Sequence, residues 1–132
     1  MYRPLSPHIF IYKPQWSSIF SVFHRATGVI LILSLFFLIC FTTALSHHIT
    51  HYSTYLLGCF LNTYGAWLLV AVLVINTFSL FYHIFNGIRH LIWDFAPHKY
   101  LHADKVEKSA YLILLLTLLC SFAAVLAFMG GV

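Results

Sequence analysis

Charge is scarce in this chain. Only 8% of its 132 residues are charged, against about 25% in ordinary soluble domains. Hydrophobic residues make up 61% of the sequence, and the mean hydropathy is +0.90. Such a chain is an integral membrane protein, with no room beside its spans for a separate soluble catalytic domain. The net charge of +4 is too small to indicate nucleic-acid binding. Cysteine is sparse as well. Cys40, Cys59 and Cys120 stand far apart with no C-x-x-C spacing, which argues against a zinc site, an iron–sulfur cluster or covalently attached haem. Single cysteines of this kind read as small apolar fillers. The first residues hold Pro4, Pro7 and Pro14 but no apolar core, so they do not form a secretory signal, and no Arg- and Ser-rich transit sequence precedes them. The expectation is a chain made in the compartment where it works, or one whose presequence has been removed.

Three uncharged stretches remain. A helix needs about 20 residues to cross a hydrocarbon core, and residues 26–45, 64–88 and 109–131 each suffice. The expected fold is all-α, one membrane domain over residues 1–132 with three transmembrane helices. A polar segment, residues 47–63, separates the first two spans. Residues 94–108 separate the last two and hold the helix breaker Pro97.

All seven basic residues lie on one side of this layout. Arg3, Lys13 and Arg25 precede or open the first span, and Arg89, Lys99, Lys105 and Lys108 flank the second connection. The positive-inside rule then puts the N-terminus and the second connection on the cytoplasmic or matrix side. The start of span one and the end of span two therefore meet at one depth.

Both ends carry chemistry. FYHIFNGIRHLIWDF, residues 81–95, ends an apolar run with His83, Arg89, His90 and Asp94. Ionisable groups at membrane depth cost a few kcal/mol each and face a protein interior or a functional site. His83, Gly87, His90 and Asp94 fall at i, i+4, i+7 and i+11, one helix face. A histidine one turn from a glycine suits a flat ring such as haem: the imidazole ligates and the glycine leaves room. The plain alternative for His83 is a structural histidine bonded to a neighbouring helix. His90 suits either a propionate or headgroups, and Asp94 suits pairing with Arg89 or Arg25, or proton delivery.

SVFHRATG, residues 21–28, sets Ser21, Arg25 and Gly28 on one face of span one, with His24 beside them. A hydroxyl and a guanidinium there can hydrogen-bond a quinone carbonyl or a carboxylate. Equally, Arg25 serves as a snorkelling anchor and Ser21 as a helix-start residue. His47, His48 and His51 lack accompanying carboxylates or thiols and read as a solvated outer loop. Trp16, Trp67 and Trp93 read as interfacial anchors.

Three motifs now stand in order: RPLSPHIFIY (residues 3–12), SVFHRATG and HIFNGIRHLIWD (residues 83–94). Together they resemble the larger membrane-anchor subunit of succinate dehydrogenase, the cytochrome b556 family of respiratory complex II, over the whole chain. The resemblance implies a haem b shared with a second small anchor subunit, with His83 as this chain's axial ligand and His24 and His90 near the propionates. It implies a ubiquinone site at the inner face using Ser21 and Arg25, bordered by the second anchor and an iron–sulfur subunit, with a flavoprotein subunit beyond. One departure stands out. Animal members carry a quinone-site tryptophan two residues after the tyrosine of the first motif, and Pro14 occupies that place here. Trp16 stands two positions on, and the resemblance does not assign it that role.

The expected function is to anchor succinate:ubiquinone oxidoreductase in the lipid bilayer and help pass electrons from succinate to quinone. No activity is expected of the chain alone. The expected location is the mitochondrial inner membrane, a bacterial plasma membrane being the alternative. Two rival readings stay open at this level: a self-contained b-type cytochrome using His83 and His24 together, and a haem-free anchor that only tethers soluble subunits.

Overall fold

A computed structural model describes residues 5, 11, 13–48, 52–95, 97 and 102–131. Of the first motif, RPLSPHIFIY, only Leu5 and Ile11 fall among these. His51 and Lys99 also lie outside the described residues, as does the side chain of His48.

Three helices make up the described chain: α1 (Trp16–His48), α2 (Tyr52–Phe95) and α3 (Ala103–Gly130). The all-α expectation holds. Each helix contains a segment long and apolar enough to cross a membrane: Trp16–His47, Trp67–Phe95 and Asp104–Gly130. At about 1.5 Å per residue the helices run about 50, 66 and 42 Å, well beyond an apolar core of about 30 Å.

The ends follow local chemistry. Pro14 cannot continue a helix backwards, and the Gln15 carbonyl accepts the first turn's N–H groups from Ser18 and Ile19 at 3.0 and 3.2 Å. His102, in extended backbone, caps α3, with Asp104 in the first turn, where a carboxylate complements the helix dipole. At the other end the Gly131 N–H donates to the Ala127 carbonyl at 3.2 Å.

Two boundaries differ from the sequence reading. The segment 47–63, expected as an outer loop, is mostly helical, because α2 begins at Tyr52. Its polar residues are carried on a helical apolar pattern. Phe60 and Tyr64 meet one turn apart at 5.6 Å, and Thr63 returns its hydroxyl to the Cys59 carbonyl at 3.0 Å. Likewise α1 starts at Trp16, ten residues before the expected span, so Ser21 and Arg25 lie within a helix rather than at its mouth.

Side chains in the spans satisfy their own polarity. Thr42, Thr43, Thr117 and Asn76 each donate to the carbonyl four residues back, at 2.8–2.9 Å, as polar groups with no water to bond must. Helix α2 lies between the others. The apolar core is Phe20, Tyr82, Ala110 and Ile113, with Phe78, Phe85 and Leu114 packed against it. Ser79, Asn86 and Arg89 of α2 and Thr117 and Ser121 of α3 are buried polar residues, and Arg89 bonds across the α2–α3 seam. Small and polar side chains at such a seam let two membrane helices approach closely. Helix α1 joins the bundle through Phe20 and Thr27, then leaves it: residues 35–40 are all exposed. The tight packing is thus concentrated where the motifs converge, at the end formed by the start of α1, the end of α2 and the start of α3.

Candidate functional site

At that end α1 and α2 run antiparallel, which brings residues 59 apart in sequence into contact. The imidazoles of His24 and His83 stack with centroids 4.3 Å apart and planes inclined by 23°. His90, two turns beyond His83, stands 5.5 Å from His24, and its ring meets Trp93 edge-on at 5.0 Å. The structure therefore gathers His24, His83 and His90 into one cluster.

His83 is held by its backbone neighbour on α1. Its Nδ1 lies 3.3 Å from the backbone carbonyl oxygen of His24. A carbonyl only accepts, so this contact selects the tautomer protonated on Nδ1 and leaves the Nε2 lone pair free. Metal-binding histidines are held in this way by a second hydrogen bond. Thr27 Oγ1 donates to the same carbonyl at 2.9 Å, fixing the acceptor in turn.

The two glycines have different tasks. A methyl group at Gly28 would lie 3.0 Å from His83 Cε1 and 3.4 Å from its Nδ1. Gly28 is therefore the gap in α1 that admits the His83 ring. A methyl at Gly87 would meet nothing within 4 Å, so one turn from His83 the face is open. These features would suit a flat ring held through the His83 imidazole. The Nε2 of His24 is buried with no hydrogen-bond partner, a polar atom available to a propionate or other acceptor. Among the described residues no group of three or more His, Cys, Asp or Glu side chains is set to hold a metal ion alone. The cluster offers single imidazoles rather than a closed ligand set.

Ser21 is half-buried and Arg25 exposed, one turn apart on α1. Trp16 is nine residues from Arg25, hence on the opposite face, and packs beside Phe20 and Tyr111 at 6.3 and 6.5 Å. It stands apart from the Ser21–Arg25 face.

Arg89 departs from the sequence reading, which offered it as a partner for Asp94. The two are five residues apart and point to different faces of α2. Arg89 is 7% exposed and turns toward α3. Its Nε donates to Ser109 Oγ at 2.9 Å and one terminal nitrogen to Asn86 Oδ1 at 3.0 Å, while the other donates to the Val106 carbonyl. The guanidinium lies 4.0 Å from the Trp93 ring centre, a cation–π contact. Trp93 thus braces Arg89 and His90 from within the bundle, beyond its expected service as an interfacial anchor. Asp94 is exposed. Sequence reasoning missed Tyr82 altogether, which is 2% exposed and donates its hydroxyl to the Phe20 carbonyl at 3.0 Å.

The model of the succinate dehydrogenase/fumarate reductase transmembrane subunit matches residues 1–124. The chain belongs to the succinate dehydrogenase/fumarate reductase transmembrane subunit family. Among curated members of this family, the succinate dehydrogenase cytochrome b560 subunit of Reclinomonas americana is 38% identical over 126 residues, covering 96% of this chain and 86% of that protein. The protein of the same name from Marchantia polymorpha is 39% identical over 112 residues, 85% and 80% of the two chains. The mitochondrial succinate dehydrogenase cytochrome B subunit of Schizosaccharomyces pombe is 35% identical over 126 residues, 92% of this chain and 66% of that one. As a family member the chain is a multi-pass membrane anchor of the succinate dehydrogenase complex, an electron-transport subunit without catalytic activity of its own.

Proposed function

We propose that this anchor holds one side of a haem b through His83 and lends Ser21 and Arg25 to a ubiquinone site shared with neighbouring subunits. The observation that carries the reading is the set of His83: Nδ1 turned to the His24 carbonyl, ring seated against Gly28, and open space at Gly87. When bound, a haem supplies one-electron redox chemistry at a potential tuned by its ligands and burial. The protein's own part is to fix the imidazole's tautomer and orientation, and to present the buried Nε2 of His24, with His90 beside it, to the ring's polar edge. His24 and His83 meet by ring faces, not by nitrogens. That supports a haem that would take its other protein ligand from a partner anchor over one clasped within this chain alone.

Quinone reduction consumes two electrons and two protons. Electrons from succinate reach the quinone through a flavoprotein and an iron–sulfur subunit of the assembled complex. Negative charge develops on the quinone oxygens as electrons arrive. The Arg25 guanidinium and Ser21 hydroxyl donate hydrogen bonds to that oxygen, and fixed donors favour the reduced form more than the neutral one. Arg25 stays cationic throughout, so it stabilises charge while protons come from elsewhere. In this reading the N-terminus and the α2–α3 connection face the matrix of the mitochondrial inner membrane, in line with the one-sided distribution of Lys and Arg.

The test separates quinone chemistry from succinate oxidation. In the assembled complex, Arg25→Ala should lower ubiquinone reduction at least tenfold, the ~1.4 kcal/mol or more of a charge-assisted hydrogen bond, and leave reduction of a soluble dye by succinate intact. An equal fall in both activities would make Arg25 an assembly residue instead.

A further inference from the structure

We propose that Tyr82 is a positioning residue for quinone reduction: its bond to the Phe20 carbonyl sets α1 on α2 and so fixes where Ser21 and Arg25 stand relative to His83. The proposal rests on the reading of Ser21 and Arg25 given above. Tyr82 is the residue before His83, and Phe20 is the residue before Ser21. The hydroxyl spans 62 positions of sequence with a 3.0 Å hydrogen bond inside the apolar core.

The bond has a second rung. His83 Nδ1 reaches the His24 carbonyl, one α-turn further along α1 than Phe20. Consecutive residues of α2 therefore grip two carbonyls of α1 spaced about 6 Å along its axis, four residues at ~1.5 Å each. One contact alone leaves α1 free to tilt and swing about it, whereas two spaced along its axis fix its tilt and its position along α2. The turn of α1 between the two acceptors carries Ser21, and Arg25 follows the second acceptor directly.

The hydroxyl is not needed to form the helix, since backbone carbonyls within α1 have their own N–H partners. Nor is it needed to fill space: Phe78 stacks on the Tyr82 ring at 6.0 Å, and a phenyl group would occupy the same volume. What the oxygen adds is register. A buried hydroxyl is costly without an acceptor, so α1 slipping by even 1 Å carries a penalty that a phenylalanine would not impose.

The experiment is Tyr82→Phe in the assembled complex, alongside Arg25→Ala, with quinone reduction expressed relative to dye reduction in the same membranes so that yield cancels. Expected is a KM for a short-chain ubiquinone analogue raised about fivefold, ~1 kcal/mol, with kcat changed much less. The oxidised haem's low-temperature electron paramagnetic resonance g-values should shift as the His83 ring relaxes. An unchanged KM and unchanged g-values in Tyr82→Phe, while Arg25→Ala impairs quinone reduction, would overturn the positioning role. So would a parallel loss of dye and quinone activities, which would make the residue one for assembly. If Arg25→Ala leaves quinone reduction unaltered, the quinone-site reading itself fails and this proposal with it.

Discussion

Gly28 and Gly87 look alike in the sequence, one in each motif, and substituting alanine at each should have opposite structural consequences. At Gly28 the added methyl would sit 3.0 Å from His83 Cε1, where carbon atoms prefer about 3.5–4.0 Å. Relief requires the ring or the helix to move by roughly half an ångström. Overpacking of this kind costs about 1–3 kcal/mol, and the better helix propensity of alanine returns up to ~1 kcal/mol. The net loss is therefore about 0–2 kcal/mol, small for the fold. For His83 it is larger in consequence, because the Nδ1–carbonyl distance is already 3.3 Å, and further retreat passes the range of useful hydrogen bonds. Gly28→Ala should thus give an assembled complex with shifted haem spectra and reduced haem per complex. Gly87→Ala meets no protein atom within 4 Å and should leave the helices intact or slightly more stable, while lowering haem content by filling the ring's space. Haem is measured from reduced-minus-oxidised spectra and stability from thermal unfolding of the purified complex. If Gly28→Ala retains normal haem content, spectrum and melting temperature, the seating of His83 against α1 is refuted. A fully haem-loaded Gly87→Ala complex would refute the use of that open face.

Two further predictions concern the bundle. Arg89→Lys keeps the charge but cannot reach Ser109, Asn86 and the Val106 carbonyl together, so the α2–α3 seam should lose roughly 1.5–3 kcal/mol. Thermal unfolding of the complex should show a lower midpoint, and an unchanged midpoint would reject the clamp. For topology, a membrane-impermeant maleimide added to the outer face of sealed inner membranes should label Cys59, exposed in the first turns of α2. A Cys59→Ser, Lys108→Cys double variant should react only after the membranes are opened, and the reverse pattern would invert the proposed orientation.

The spans were legible because uncharged runs have one physical solution in a bilayer. The meeting of the two motifs followed from topology: consecutive spans are antiparallel, so the start of one and the end of the next share a depth. Residues 52–63 misled because Asn62, Thr63 and the nearby histidines resemble a loop, while the apolar pattern that keeps them helical is spread over several turns. Asp94 was the obvious partner for Arg89 along the sequence. The actual partners, Ser109 and Val106, lie on another helix, and a guanidinium's choice between two helices depends on rotation about the α2 axis. Tyr82 was one of eight tyrosines among thirteen phenylalanines, and composition does not reveal which hydroxyl finds a carbonyl across the bundle. The packing role of Gly28, which receives the His83 imidazole from the neighbouring helix, depends on the pairing of α1 with α2 and leaves no mark in the sequence around His83.

The most direct test of the account is haem retention in His83→Ala, measured in the assembled complex from reduced-minus-oxidised spectra normalised to succinate–dye activity. Loss of the haem b signal from a complex that still assembles and reduces the dye is the predicted result. A full haem complement in the absence of the His83 imidazole would contradict it and leave the chain a haem-free tether.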